Sequence, residues 1–292
     1  MSTEQIAVAN EEAIRAWDGV LFERFSKFRH IVLPGLGAHG DEAIRCHPPE
    51  VGDRVLDVGC GFGDTTCRLA ELVGPDGAAL GVDAAPRFVE AAREEAARAG
   101  VDNARFEVVD VEASPFDERF DYAFSRFGTM FFANPVAAMR HVRAALRPGG
   151  RLCMVVWRRK LDNPWFHDAE AALIELGVTE DEDSDEPTCG PGPFSMANAD
   201  TTSQILLGAG FEAVSLRRFD LPMRIGDDLD EAVAYVTALG PAGELIRLAG
   251  EEAQRLMPKI NAAIRGVLSG YETDDGVRAP MSTWIVTAQA PA

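Results

Sequence analysis

Residues 55–66 read VLDVGCGFGDTT: an apolar run, three glycines at alternate positions, then polar residues that open a helix. The apolar start suits a buried strand, and glycine at 59, 61 and 63 lets a ligand approach the backbone closely. A dinucleotide fingerprint, G-x-G-x-x-G, seats a pyrophosphate on the helix N-terminus. Here the third position of that spacing is Asp64, whose charge would repel a pyrophosphate at close range. A P-loop needs Gly-Lys-Ser/Thr, and none follows. Asp57 and Asp64 flank the loop with no lysine or arginine between them, which suits a ligand carrying positive charge.

Outward from the loop, residues 51–157 alternate short apolar runs with helical patterns, the signature of a parallel sheet wrapped by helices. Strands are expected at 54–58, 78–83, 105–110, 120–125 and 151–157. A helix from Pro86 to Gly100 places Val89, Ala92, Ala96 and Ala99 on one face. Another begins at Asn134-Pro135 and ends in the RPGG of 147–150. Two late strands are expected at 212–220 and 282–290. Residues 1–50 look helical and carry Trp17, Phe22, Phe25 and Phe28. Residues 158–210 hold the acidic run TEDEDSDEP and the CGPGPF turn, which suggests a hinge. In the final part, 211–292, a helical insertion is expected at 224–275. The expectation is a doubly wound α/β unit with a 51–157 core and helical caps from the other segments.

The landmarks of this core resemble those of class I S-adenosylmethionine-dependent methyltransferases. They are VLDVGCGFG, Asp83 ending the second strand, the Asp110-Val111 pair after the third, FDYAFSRFG at the fourth and LRPGGRL before the fifth. The resemblance covers roughly residues 50–160. It implies a seven-stranded, mostly parallel sheet whose last strand runs antiparallel beside the sixth. It also implies S-adenosylmethionine as cofactor and S-adenosylhomocysteine as product. Gly59, Cys60, Gly61 and Gly63 would approach the methionyl part and the ribose. Asp57 would hold the ammonium, directly or through water. Thr65 and Thr66 would offer first-turn amides to the carboxylate. Asp83, with Ala84 beside it, would accept both ribose hydroxyls, and Asp110 and Val111 would read the adenine edge. Phe88 would pack on the adenine face, and Ser125 completes the cofactor set.

Methyl transfer from a sulfonium destroys charge as it proceeds, so alignment and exclusion of water matter most. A base is needed only where the acceptor loses a proton. The fourth strand ends in Ser125-Arg126-Phe127-Gly128, where amino-methylating enzymes often carry Asn/Asp-Pro-Pro-Tyr/Phe. The segment is similar to that of bacterial small-molecule methyltransferases, including the quinone-biosynthesis group. An acceptor methylated at oxygen or carbon is therefore expected. Phe127, Trp157, Trp165 and Phe166 would line its site, with Met130, Phe131 and Phe132 nearby. Arg126 would pair either an acidic acceptor or a cap carboxylate. His167 is the candidate base, His30 and His39 are its rivals, and His141 reads as structural.

The 292 residues carry a formal charge of −19, which argues against a nucleic-acid partner. Five scattered cysteines without a C-x-x-C pair argue against a disulfide framework or a zinc site, so no metal is expected and a cytoplasmic setting is. No basic-then-apolar leader and no long apolar run is present, so neither a signal peptide nor a membrane span is expected. The sequence leaves the oligomeric state open. Two other classes stay open at this point: a module that only binds the cofactor or acts with a partner subunit, and a nicotinamide dehydrogenase.

Overall fold

The computed structural model describes residues 3–180 and 190–292. Residues 181–189, which carry most of the acidic run and Cys189 of the expected hinge, lie outside the described residues. Helix α1 (Thr3–Ala16) passes through a π-helical turn at Trp17–Leu21 into α2 (Phe22–Lys27) and α3 (Arg29–Cys46). Alternation follows: β1 (Arg54–Val58), α4 (Asp64–Val73), β2 (Ala78–Asp83), α5 (Pro86–Ala99), β3 (Ala104–Val108), β4 (Phe120–Arg126), α6 (Pro135–Ala145) and β5 (Leu146–Trp157). Then come α7 (Pro164–Glu175), α8 (Ala199–Gly208), β6 (Glu212–Asp220) and β7 (Met223–Gly226). The chain closes with α9 (Leu229–Ala238), α10 (Gly240–Leu248), α11 (Gly250–Leu268), β8 (Glu272–Thr273), β9 (Gly276–Ala279) and β10 (Ser282–Gln289).

The main sheet has seven strands in the order β3-β2-β1-β4-β5-β10-β6. The first five are mutually parallel. β10 runs antiparallel between β5 and β6, so it neighbours both rather than β6 alone. Val55, Leu56, Val82, Ala123, Phe124 and Val155 are among the fully buried strand residues, as expected of a sheet covered on both faces. Pro86 opens α5 and Gly100 ends it in the left-handed region at φ 69°. Val89, Ala92 and Ala96 are buried. Ala99, the last residue of the helix, is exposed.

Two expectations need correction. β5 starts at Leu146, not 151: Leu146 already pairs with Phe120, and the Pro-Gly-Gly that follows forms an irregularity before Tyr122 pairs with Arg151. The 224–275 segment is not purely helical. β7, β9 and β8 form a small antiparallel sheet beside α9–α11, from strands too short to show a period.

The N-terminal helices are clamped to both neighbours. Asp18 accepts from the Arg87 N–H at the start of α5 (2.7 Å), and Arg29 pairs with Glu95 (2.8 Å). Arg24 donates to the carbonyls of Ala238 (3.0 Å) and Gly243 (3.2 Å) in α9 and α10. α3 is a poor helix by composition, holding Pro34 and Gly35, Gly37 and Gly40. Its glycines admit neighbours instead: a Cβ on Gly40 would stand 3.0 Å from Arg126 Cδ, and one on Gly35 2.5 Å from Met223.

His39 of α3 is fully buried, edge-on to Phe219 with centroids 4.9 Å apart. Its Nδ1 lies 2.9 Å from Thr283 Oγ1, whose hydroxyl donates to the Phe219 carbonyl, so Nδ1 carries the hydrogen. Burial pulls the ring down to about 4 from its ordinary 6.5. Between those values the unfolded chain takes up a proton that the folded protein refuses. Stability therefore falls as pH drops through that window, by up to about 3 kcal/mol. Urea unfolding at about pH 7.5 and about pH 4.5 should show His39→Leu losing about 2 kcal/mol less than the wild type on acidification. Equal losses would remove His39 from the account.

Candidate functional site

The glycine loop turns left-handed three times, at Gly59 (φ 71°), Gly61 (φ 53°) and Gly63 (φ 80°). A Cβ on Gly59 would meet Gly128 Cα at 2.9 Å, so the loop and the end of β4 touch backbone to backbone. A Cβ on Gly61 would meet nothing within 4 Å, which marks the loop's open side. Asp83, at the end of neighbouring β2, fixes the loop from the side. Its two oxygens accept from the N–H groups of Gly61 and Ala85, each at 3.0 Å. Burial raises this carboxyl above its usual range, and the amides partly offset that.

Asp110 follows β3 and accepts from the Glu112 N–H (2.9 Å) and from the Asn10 side chain of α1. The Val111 carbonyl is taken by His141 Nδ1 at 2.7 Å, which makes His141 structural as expected. Glu112 accepts from the N–H groups of Ala133 and Asn134 and so pins the chain between β4 and α6. Phe88 lies at 4% exposure in a ring cluster with Phe22 and Phe62, at 5.0 and 4.9 Å between centroids.

These groups face one cavity of about 640 Å3. Gly59, Cys60, Gly61, Asp83, Ala84, Phe88, Asp110 and Val111 line one end, beyond β1, β2 and β3. Arg126, Phe127, Trp157 and Phe166 line the other end, beyond β4 and β5, with Phe194, Tyr235, Leu239 and Leu248 from the later segments. The floor therefore spans the point where the sheet order turns from β1 back to β4, the usual seat of ligands in doubly wound folds.

Six of the residues singled out in the sequence stand elsewhere. Asp57 is 1% exposed behind the loop, where it accepts from Thr66 Oγ1 (2.7 Å), and burial raises it to about 7. Gly63 is filled around by Ala92 and Phe106. Ser125 is buried, donating to the Val58 carbonyl at 2.7 Å. Trp165 is buried under the cavity wall, stacked on Phe166 at 3.7 Å and donating to the Pro280 carbonyl at 2.8 Å. Thr65 lines a second cavity of about 360 Å3 with Asp64 and Arg126. His167 faces outward on α7, 44% exposed and 2.9 Å from Asp168, away from the cavity wall. Among the described residues no histidine lines the main cavity.

Arg126 corrects the charge argument. Instead of a cap carboxylate it pairs with the loop's own Asp64, through two hydrogen bonds of 2.7 and 2.9 Å. Only 12% and 29% of the two side chains are exposed. Asp64 is thus neutralised within the protein and is not available to attract a cation. Asn10, Glu112, Tyr235 and the Lys160–Glu170 ion pair on the cavity wall were not read from the sequence. They come from segments far from the glycine loop.

Among the described residues no group of three His, Cys, Asp or Glu side chains could hold a metal ion, and no helix is long and apolar enough to cross a membrane.

Residues 49–199 match a family model described as a methyltransferase domain. An aklanonic acid methyltransferase from Streptomyces is 36% identical over 39% of this chain and 52% of its own length. A ubiquinone/menaquinone biosynthesis C-methyltransferase from Pasteurella multocida is 29% identical over 59% of this chain and 67% of its own. Thus the match spans about half the length of the first relative and two thirds of the second. The YcgJ protein of Bacillus subtilis shares the fold at 18% identity, with a TM-score of 0.55 over 88% of this chain and 98% of that one.

The Asp64–Arg126 pair yields a test. A double-mutant cycle with Asp64→Asn and Arg126→Gln should return a coupling energy of about 1–3 kcal/mol in urea unfolding. Additive losses would mean that the two side chains do not act together. The loop geometry, the acidic groups at successive strand ends and the family match lead to one assignment: the chain belongs to the methyltransferase-domain family.

Proposed function

We propose that the cavity takes S-adenosylmethionine over β1, β2 and β3 and a small, partly apolar acceptor over β4 and β5, and that the methyl passes to an oxygen or carbon atom. The observation that carries this reading is the alignment of three groups at successive strand ends on one cavity: the glycine loop, Asp83 and Asp110.

Each Asp83 oxygen accepts one backbone N–H and keeps a lone pair, enough for one ribose hydroxyl apiece. Asp110 keeps acceptor capacity for an adenine amino group, and the ring of Phe88 gives that end an apolar wall. Asp57 does not reach the cavity, so its part in holding the ammonium would be through bound water or through its field. The Thr65 side chain opens on the second cavity, so only first-turn amides of α4 would reach the methionyl carboxylate.

At the other end Phe127, Trp157 and Phe166 offer ring surface and little charge, which fits alignment of an apolar acceptor and exclusion of water. The resemblance to enzymes named for a C-methylation in quinone biosynthesis and for aklanonic acid supports carbon or oxygen as the receiving atom. With no histidine on the cavity wall among the described residues, an acceptor that must lose a proton would give it to a carboxylate or to water.

Calorimetric titration with S-adenosylhomocysteine tests the cofactor half. Wild-type protein should bind it, and Asp83→Ala should weaken binding by about 10–100-fold, the loss of about 1–3 kcal/mol when buried hydroxyls lose their acceptor. Unchanged affinity would take Asp83 out of the site. No binding at all would overturn the placement of the cofactor.

A further inference from the structure

Several large aromatic side chains with polar ends are satisfied where they pack in the interior. Tyr122 donates to the His47 carbonyl (2.7 Å), Trp165 to that of Pro280 (2.8 Å) and Trp284 to that of Ala197 (2.9 Å). A buried hydroxyl without a partner forgoes a hydrogen bond it would make in water, so such groups are rarely left alone. Among the described residues the Trp157 indole and the Tyr235 hydroxyl of α9 make no such bond, and of the two only Tyr235 offers a hydroxyl. Tyr235 is 7% exposed and lines the main cavity, its ring held edge-on by Phe28 with centroids 5.6 Å apart. Its hydroxyl makes no hydrogen bond among the described residues, and the residue lines the cavity.

Other charged groups of that end are held in pairs. Lys160 is paired with Glu170, and Glu244 holds Arg247 through two hydrogen bonds of 2.9 and 2.8 Å. Around them the walls are ring faces and edges: Trp157 stands 5.1 Å from both Phe127 and Phe166, and Phe166 stands 5.9 Å from Phe194. Rings in offset and edge-on arrangements favour a flat aromatic guest. Burial also pushes the phenol of Tyr235 far above its ordinary range, so it stays protonated and acts as a donor.

Resting on the functional reading above, we propose that the Tyr235 hydroxyl is the hydrogen-bond donor that selects the acceptor. It takes a ring-borne oxygen (a ketone, phenol or quinol) of a flat aromatic molecule held among Trp157, Phe166 and Phe194. A site built to hydrogen-bond an oxygen rejects the analogue that lacks it, because the buried donor is then left unpaired. Tyr235 is a specificity-determining residue in this scheme and takes no part in cofactor binding.

The test uses the full chain saturated with S-adenosylhomocysteine, with 1-naphthol and naphthalene as probes in equilibrium dialysis. Wild type should bind 1-naphthol about 10-fold more tightly than naphthalene, the worth of one net hydrogen bond. Tyr235→Phe, which keeps the ring against Phe28, should erase that preference while leaving naphthalene and S-adenosylhomocysteine affinities unchanged. A preference that survives in Tyr235→Phe, or a wild type that shows none or binds neither probe, overturns the proposal. Loss of S-adenosylhomocysteine binding in the wild type would instead strike the functional reading on which it rests.

Discussion

The backbones of Gly59 and Gly128 lie in contact, and the rest of the site depends on that contact. A Cβ on Gly59 would meet Gly128 Cα at 2.9 Å, and one on Gly128 would meet the Val58 carbonyl oxygen at 2.9 Å. No side chain fits there, so β1 and β4 can end side by side at the turning point of the sheet. The tight exit from β4 puts Phe127 at φ 60°, a left-handed conformation that a bulky residue rarely adopts. Such a conformation costs of order 1–3 kcal/mol and persists because its surroundings over-determine it. Here the surroundings are the Phe127 N–H on the Val155 carbonyl (2.9 Å), the glycine contact and the Arg126 pair with Asp64.

Charge is handled locally, against a strongly acidic background. The chain carries −19, yet the charged side chains described above on the cavity wall are mostly matched: Arg126 with Asp64, Lys160 with Glu170, Arg247 with Glu244. Paired charges cancel each other's field at short range, so the cap end of the cavity stays close to apolar in character. The carboxylates of Asp83 and Asp110 are engaged with backbone N–H groups instead, which holds them in place without cancelling their charge. The cavity is therefore polarised along its length, acidic at the β2–β3 end and aromatic at the other.

What was legible in the sequence was the part encoded locally. VLDVGCGFGDTT specifies a strand, a turn and a helix start within twelve residues, and Pro86 and Gly100 mark both ends of α5. Asp83 and Asp110 could be placed because strand ends in a parallel sheet fall on one edge. What was not legible was partnership across the chain. Asp64 meets Arg126 62 residues later, and Asn10 meets Asp110 at a separation of 100. No period or spacing encodes either. His167 and Trp165 were misplaced because a helix turns each residue by about 100°, and the sequence did not show which face of α7 meets the cavity. The small β7-β9-β8 sheet was missed because its strands run only two to four residues.

The hydrogen bond from Asn10 to Asp110 bears on the energetics of ligand entry. An adenine amino group arriving at Asp110 would find a carboxylate already served by an amide of the chain's own first helix. The carboxylate keeps a lone pair on each oxygen, so such a group would share Asp110 with Asn10. Beyond the π-helical turn, where Gly19 departs from helical geometry at φ −106° and ψ −109°, the clamps of α2 and α3 begin. Through Asn10 the first helix thus supplies a side chain to the cavity wall, and its tether sets how often that side chain is present there.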